Sequence, residues 1–344
     1  MLGKNQNIKI YLYPEEKYGL IFNTQNGFFV RKEFRNSDEP FMSKHGPELI
    51  DISITNWCDK GCNFCYKKSN KCGKHMSVET FEMILRQAKE MDVLQIALGG
   101  GNPNQHPDFC DMLRLARKGY DIIPSYTTNG RGLSDEVLEY TKKYWGSVAI
   151  SYYPPYDEVK KNVMLLNDYG IKPNLHFLVD SKSMSDAIQL LEFPPSFIQG
   201  VNAIVFLNYK PVGRAKKTEM HANKSDLVPK FFEAIHSFQK KNTTKIGFDS
   251  CSVSGIIKYL NIADQFIEPC EAARFSMYID ESGEAYPCSF MIESFEGAEI
   301  KQNNLLNIWE NQQNFVQVRQ LLKSNKADKT VCINGCPLFP EIDY

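Results

Sequence analysis

Residues 49–66 read LIDISITNWCDKGCNFCY, a short apolar strand at 49–55 that runs directly into a loop with cysteines at 58, 62 and 65. A strand that delivers chemistry-bearing residues at its C-terminal end is how parallel βα barrels present their active sites. Outward from this stretch, short apolar runs alternate with longer amphipathic ones, the pattern of successive βα units. Strands are expected at 49–55, 93–98, 121–127, 147–152, 173–179 and 201–207. Helices are expected near 77–91, 107–118, 134–144, 157–169, 184–192 and 225–240, entered through capping residues such as Ser77 and Ser134. Six strands fall short of the eight that close a full barrel, so the fold class is α/β, a partial (β/α)6 TIM-like barrel whose gap admits a large substrate.

Three units follow from this reading. Residues 1–47 form a small N-terminal β lead-in, with Ile8–Leu12 and Leu20–Phe22 strand-like and Asn26-Gly27 turn-like. Residues 48–244 form the barrel, and residues 245–344 a cysteine-rich α+β extension. In the extension the alternation stops, a hairpin over 276–286 turns at Gly283, and one long helix is expected over 304–323. No internal repeat or low-complexity tract interrupts the chain.

A chain of 344 residues with 42% hydrophobic content buries a large core. Its 40 basic and 41 acidic residues leave the net charge near zero and give no sign of a polyanion-binding surface, so nucleic acid is not an expected partner. Met1–Leu20 has no apolar run of signal-peptide or membrane-span length, so the expected location is cytoplasmic, with no membrane partner. In that setting ten cysteines point to metal ligation or redox chemistry rather than disulfides. They fall in two groups, Cys58, Cys62, Cys65 and Cys72 near the start and Cys251, Cys270, Cys288, Cys332 and Cys336 near the end, with Cys110 alone.

Chance would produce the 58/62/65 spacing only ~0.008 times along such a chain. Three thiolates on one short loop bind three corners of an iron–sulfur cubane and leave the fourth iron open to a small chelating ligand. The rival is structural zinc, which needs a fourth ligand such as Cys72.

The segment Cys58-Asp59-Lys60-Gly61-Cys62-Asn63-Phe64-Cys65-Tyr66 resembles the radical S-adenosylmethionine (radical SAM) superfamily. The resemblance implies a [4Fe-4S] cluster on Cys58, Cys62 and Cys65, S-adenosylmethionine as cofactor, Phe64 beside its adenine, and Tyr66 adjoining. Leu98-Gly99-Gly100-Gly101-Asn102-Pro103 is similar to the family's Gly-Gly-Glu-Pro motif, with Asn102 where the acid is expected. Gly100, Gly101 and Asn102 are therefore implied cofactor contacts, the amide oxygen accepting from the cofactor ammonium without charge assistance. Thr127-Thr128-Asn129-Gly130 resembles the family's Thr-Asn-Gly, which implies cofactor contact for Thr128 and Asn129, as the end of the fourth strand does for Ser151. As residues alone, all three are also ordinary strand-end and turn residues. Asn208–Ala215 resembles the Pro-x-Gly-Arg-Ala segment of peptide-modifying members.

Cys270-x12-Gly283-x4-Cys288 spans the expected hairpin, whose ends come together, and Cys332 and Cys336 return after the 304–323 helix. This resembles the auxiliary-cluster domains of the same superfamily, in the shorter twitch form rather than the longer SPASM form, because five cysteines suffice for one cluster, expected as [4Fe-4S]. Four of Cys251, Cys270, Cys288, Cys332 and Cys336 are its ligands, with the choice between Cys251 and Cys332 open. Zinc and buried free thiols are the alternatives.

The resemblance implies reductive cleavage of S-adenosylmethionine to a 5′-deoxyadenosyl radical and hydrogen abstraction from a ribosomally made precursor peptide, ending in a crosslink, thioether or epimerisation. A one-electron donor such as a flavodoxin or ferredoxin is the second expected partner. Residues 1–47 read as too short for the winged-helix leader-peptide domain of several such enzymes. A small-molecule radical dehydrogenase or rearrangement enzyme, and a non-catalytic iron–sulfur or zinc-binding protein, are the competing readings. His176 reads as a structural or substrate-contacting strand histidine, Cys72 and Cys110 as ordinary thiols, and Tyr152, Tyr153 and Tyr156 as a cavity wall.

Overall fold

The computed structural model describes residues 7–25, 27–34, 40–214, 218–263, 267–324 and 336–344. Alternating burial builds its first sheet, in which β1 (Ile8–Tyr13), β2 (Tyr18–Asn23) and β3 (Phe29–Glu33) pair antiparallel in sequence order. One face buries Tyr18, Leu20 and Phe22 against Leu94 and Ile123, at the start of two barrel strands. Arg31 of β3, almost wholly buried, bonds Glu48 at 2.6 Å and Glu271 at 2.9 Å and so ties the lead-in to both later parts of the chain.

The main sheet begins with β4 (Leu49–Thr55), whose Ile50, Ile52 and Ile54 are buried, leaving Asp51, Ser53 and Thr55 on the opposite, inner face. Parallel to it run β5 (Gln95–Gly100), β6 (Ile123–Thr128), β7 (Val148–Ser151), β8 (Asn174–Val179) and β9 (Ala203–Asn208), in sequence order across the sheet. The intervening helices are α1 (Val78–Glu90), α2 (Phe109–Arg114, extended by a wider π-type turn to Gly119), α3 (Asp135–Tyr144), α4 (Tyr156–Asp168), α5 (Met184–Glu192) and α6 (Val228–Lys241). Ser77 and Ser134 cap α1 and α3 by accepting from Thr80 N and Val137 N. The six-strand α/β barrel read from the sequence is present.

Three features differ from the sequence reading. A seventh parallel strand, β10 (Lys245–Phe248), pairs with β9; four residues that include an exposed lysine and a glycine are too short and too polar to carry a periodic signal. The chain next forms α7 (Val253–Tyr259) and crosses to the far edge, where β11 (Ser276–Ile279) pairs parallel with β4 and leads through a hairpin to β12 (Glu284–Tyr286) and β13 (Ala298–Glu299). The extension thus grows out of the barrel sheet, whose ends are β10 and β13. The expected helix over 304–323 is two helices, α8 (Leu305–Asn311) and α9 (Gln313–Ser324), broken where Gln312 turns extended with ψ 132°. The break lets Trp309 and Phe315 meet edge to face at 6.0 Å in one core.

Because β11 runs parallel to β4, the cysteine loop after β4 and the β11–β12 turn lie at the same end of the sheet. None of the described helices is long and apolar enough to cross a membrane.

Candidate functional site

The loop after β4 is held by its own backbone and by a clamp from the far side of the barrel. Cys58 N donates to Asn70 O at 3.0 Å, Asn56 N to Lys74 O at 2.7 Å, and Cys65 N to Cys62 O at 3.2 Å. Arg214 spends three donors on the same loop: its backbone N–H on Cys65 O at 3.0 Å, Nε on Cys62 O at 2.9 Å, and an Nη on Ser69 O at 2.9 Å. Gly213 precedes it at φ +68°, with Tyr66 O only 2.2 Å from where a Cβ would stand, so no larger residue fits there. The Gly213-Arg214 pair therefore orders the loop at Cys62 and Cys65, a role its sequence does not reveal.

Cys58, Cys62 and Cys65 are partly exposed and free. Asn129 Nδ2 stands 3.7 Å from Cys58 Sγ and 3.2 Å from Asp59 Oδ1. Burial raises the Cys62 thiol, while a hydrogen bond with Tyr153 lowers it. The Tyr153 ring also meets Phe64 edge-on at 5.2 Å and Lys60 Nζ at 4.3 Å, and its hydroxyl bonds Ser151. Phe64, Ser151, Asn129 and the cysteine loop are thereby brought together. Tyr66 lies on the other side, its ring 5.0 Å from Phe290.

The glycine run presses the end of β5 against the loop. Gly101 N donates to Thr55 O at 2.7 Å, and a Cβ on Gly101 would stand 1.9 Å from Trp57 O. Gly100 is similarly backed by Thr55 O, whereas Gly99, on the inner face, has nothing within 4 Å of its Cβ position. Gly100 and Gly101 serve backbone packing, and Gly99 leaves the opening.

The Asn102 amide is turned into the protein. It is fully buried, its Nδ2 donates to Gln105 Oε1 at 2.7 Å and Arg131 O at 3.0 Å, and its Oδ1 accepts from Asn129 N at 3.0 Å, with Thr128 Oγ1 at the same distance. Both side-chain N–H groups are thus committed within the protein, and the amide oxygen faces Asn129 N. A carboxylate lacks the two N–H groups that bond Gln105 Oε1 and Arg131 O, which is a physical reason for an amide here. Asn102→Asp is therefore expected to destabilise the protein by about 1–3 kcal/mol without tightening S-adenosylmethionine binding, checked by thermal unfolding and equilibrium dialysis. Thr128 is equally internal, its single hydroxyl proton directed to Asn104 Oδ1 at 2.6 Å, the shorter of its two amide-oxygen contacts.

The second set of cysteines is also assembled. Cys251 before α7, Cys270, Cys288 after β12, and Cys336 line one cavity of about 550 Å3. A hydrogen bond to Cys336, then burial, raise the Cys251 thiol; burial raises Cys270 and pushes Cys288 up to about 12. Loading metal must expel these protons. Cys332 lies outside the described residues. Cys72 is exposed and Cys110, raised to about 11 by burial, lies elsewhere in the core. Among the described residues no three His, Cys, Asp or Glu side chains converge as a single metal ion requires; a cubane offers separated corners instead.

Three charged residues in this cavity went unread in the sequence. Lys210, almost wholly buried, pairs with Asp249, donates to Asn208 O at 2.8 Å, and stands 4.6 Å from the Phe290 ring. Burial disfavours its charge, but Asp249 and Cys251 more than offset this and hold the ammonium above its usual range. Asp51, on the inner face of β4, has no hydrogen-bond or ion-pair partner among the described residues, and burial raises it to about 6. Relative to the unfolded chain its contribution is most favourable below pH ~4 and is lost as pH rises through 6. A carboxylate inside the run LIDISIT was the available signal. His176, also inward, is lowered to about 4 by burial and stays neutral.

Comparison with known proteins agrees with this geometry. Residues 52–164 match the family model described as the radical SAM superfamily, and residues 270–337 the one described as an iron–sulfur cluster-binding domain, SPASM, where the cysteine count points to the shorter twitch form. Among solved structures, SuiB of Streptococcus suis bound to S-adenosylmethionine aligns with TM-score 0.74 at 19% identity, covering 98% of this chain and 97% of its own. SuiB bound to precursor peptide SuiA aligns at 0.68 and 16%, covering 92% and 90%. An anSMEcpe structure with bound AdoMet and Cp18Cys peptide aligns at 0.63 and 15%, covering 84% and 88%. These likenesses establish the fold. A curated relative, a probable GTP 3′,8-cyclase of Saccharolobus islandicus, is 27% identical over 187 residues, 49% of this chain and 59% of the relative. One from Methanosarcina mazei is 30% identical over 116 residues, 31% and 34%.

Proposed function

We propose, from the premise that this chain belongs to the radical SAM superfamily and ends in a SPASM-type iron–sulfur domain, that it uses S-adenosylmethionine to modify a ribosomally made peptide. The observation that carries the reading is the pairing, in one continuous sheet, of an open three-cysteine loop with a four-cysteine cavity. When bound, S-adenosylmethionine and a [4Fe-4S] cluster on Cys58, Cys62 and Cys65 supply a 5′-deoxyadenosyl radical that removes hydrogen from a substrate carbon.

The residues present fit those groups. Cys58, Cys62 and Cys65 would hold such a cluster through three thiolates, which would leave its remaining iron to the cofactor, and Gly99 keeps the adjoining inner face of β5 clear. Arg214 and Asn129 hold the loop, and Phe64, packed on Tyr153, supplies an aromatic face beside it. Cys251, Cys270, Cys288 and Cys336 would hold one auxiliary cluster, expected as [4Fe-4S], with every ligand position filled by protein. A flavodoxin or ferredoxin is the expected electron donor.

The peptide reading is supported by fold likeness to SuiB over almost the whole chain. The competing small-molecule reading draws on the name of the curated relatives, whose match covers 59% of their length in the first case. Protein purified without oxygen should be brown, carry iron and sulfide, and form 5′-deoxyadenosine with dithionite and S-adenosylmethionine. Short peptides encoded beside its gene should then change mass, whereas GTP should not be consumed. A colourless, zinc-only protein that forms no 5′-deoxyadenosine would sink the proposal.

A further inference from the structure

We propose that Asp51 is a substrate-binding residue that takes a cationic group, an ammonium or guanidinium, in the cavity beside the auxiliary cysteines; this deepens the radical SAM reading and rests on it.

The charge inventory of the cavity leads there. Four carboxylates line it, Asp51, Asp249, Glu268 and Glu271. Asp249 pairs with Lys210 and accepts from Ser252 Oγ at 2.7 Å, while Glu268 and Glu271 share the single Arg31 guanidinium with Glu48. Asp51 alone has no partner among the described residues, and the nearby cations are committed: Lys210 to Asp249, and Lys67 to Glu281 at 2.8 Å. Asp51 is partly exposed where it opens onto the cavity, so its carboxylate meets cavity water but no counter-charge from the described chain. Such a group persists where something outside the chain completes it.

Its surroundings decide what that is. A lone carboxylate with no other metal-ligating side chain converging on it is not a cation-binding cage. Asp51 lies within electrostatic reach of Tyr66, next to Cys65, and of Cys288. A charge on the substrate held there sits between the radical-generating loop and the auxiliary set. Thiolate ligation of clusters would add negative charge on both sides and strengthen the preference for a cation.

The test uses reconstituted full-length holoenzyme and n-butylammonium as probe, with n-butanol and n-butyrate as controls, read by ligand-observed NMR titration. Wild type should bind butylammonium at least tenfold more tightly than butanol and reject butyrate. Asp51→Asn should remove that preference, Asp51→Glu should retain it, and D51N should melt higher than wild type because an unmatched charge is gone. A structural carboxylate would instead lower the melting temperature when neutralised. Equal affinity for the ammonium and the alcohol in wild type overturns the inference even if D51N fails to fold. A parallel 5′-deoxyadenosine assay on wild type separates the two claims. Product without ammonium selectivity sinks this inference alone, and selectivity without product sinks the radical reading alone.

Discussion

Replacing Cys62 with alanine should abolish 5′-deoxyadenosine formation, by at least ~10³-fold, and remove about four irons per chain while the auxiliary iron remains. Two thiolates cannot retain a cubane against solvent, so loss of one ligand empties the site instead of weakening it. The loop itself should survive, because what Arg214 Nε grips is the Cys62 carbonyl, at 2.9 Å, and alanine keeps that atom. Cys72→Ala is the informative control. Cys72 is exposed, and its neighbourhood is set by its backbone N–H to Asn70 Oδ1 at 2.7 Å, so this change should leave iron content and product formation alone. If C72A emptied the first site, the four-ligand zinc reading would return. Iron and sulfide analysis with a dithionite-driven product assay measures both arms.

Lys210→Met should cost about 3–5 kcal/mol of stability, the loss expected when one partner of a buried ion pair is removed. The Lys210 side chain is 3% exposed and that of Asp249 18%, so methionine would leave the carboxylate facing the Cys251 region with little water to relieve it. Asn208 O would lose its 2.8 Å donor as well. Lys210→Arg keeps the charge and should recover part of the loss. Removing both partners in Lys210→Met/Asp249→Leu should cost less than the sum of the single changes, since the orphaned charge disappears. Anaerobic denaturant titration of the holoprotein gives the four corners of the cycle. Additive losses would mean that the pair is not coupled and that Lys210 packs chiefly through its stem and the Phe290 ring.

The strands that support the site were legible because their information is local. Each of β4 to β9 carries an apolar run long enough to rise above its flanks, and the 58/62/65 and 270/283/288 spacings lie within single loops or hairpins. Where the signal was short, as in β10, or where one helix had to change phase to bury both Trp309 and Phe315, periodicity along the chain was not informative. Asn102 marks the limit differently. Its identity was read against a motif, but its hydrogen bonds to Arg131 O and from Asn129 N form only through the folded sheet.

By itself the sequence determined the α/β class, the six barrel strands and two sets of cysteines, since periodicity and ligand spacing are properties of neighbours along the chain. Only the tertiary structure decided that β11 pairs with β4, that Cys251 shares a cavity with Cys270, Cys288 and Cys336, that Arg214 clamps the cysteine loop, and that Asp51 stands unmatched. Those are contacts between residues up to some two hundred positions apart. Sheet pairing and charge matching across such distances depend on which surfaces the packed barrel brings together, and no local pattern encodes that.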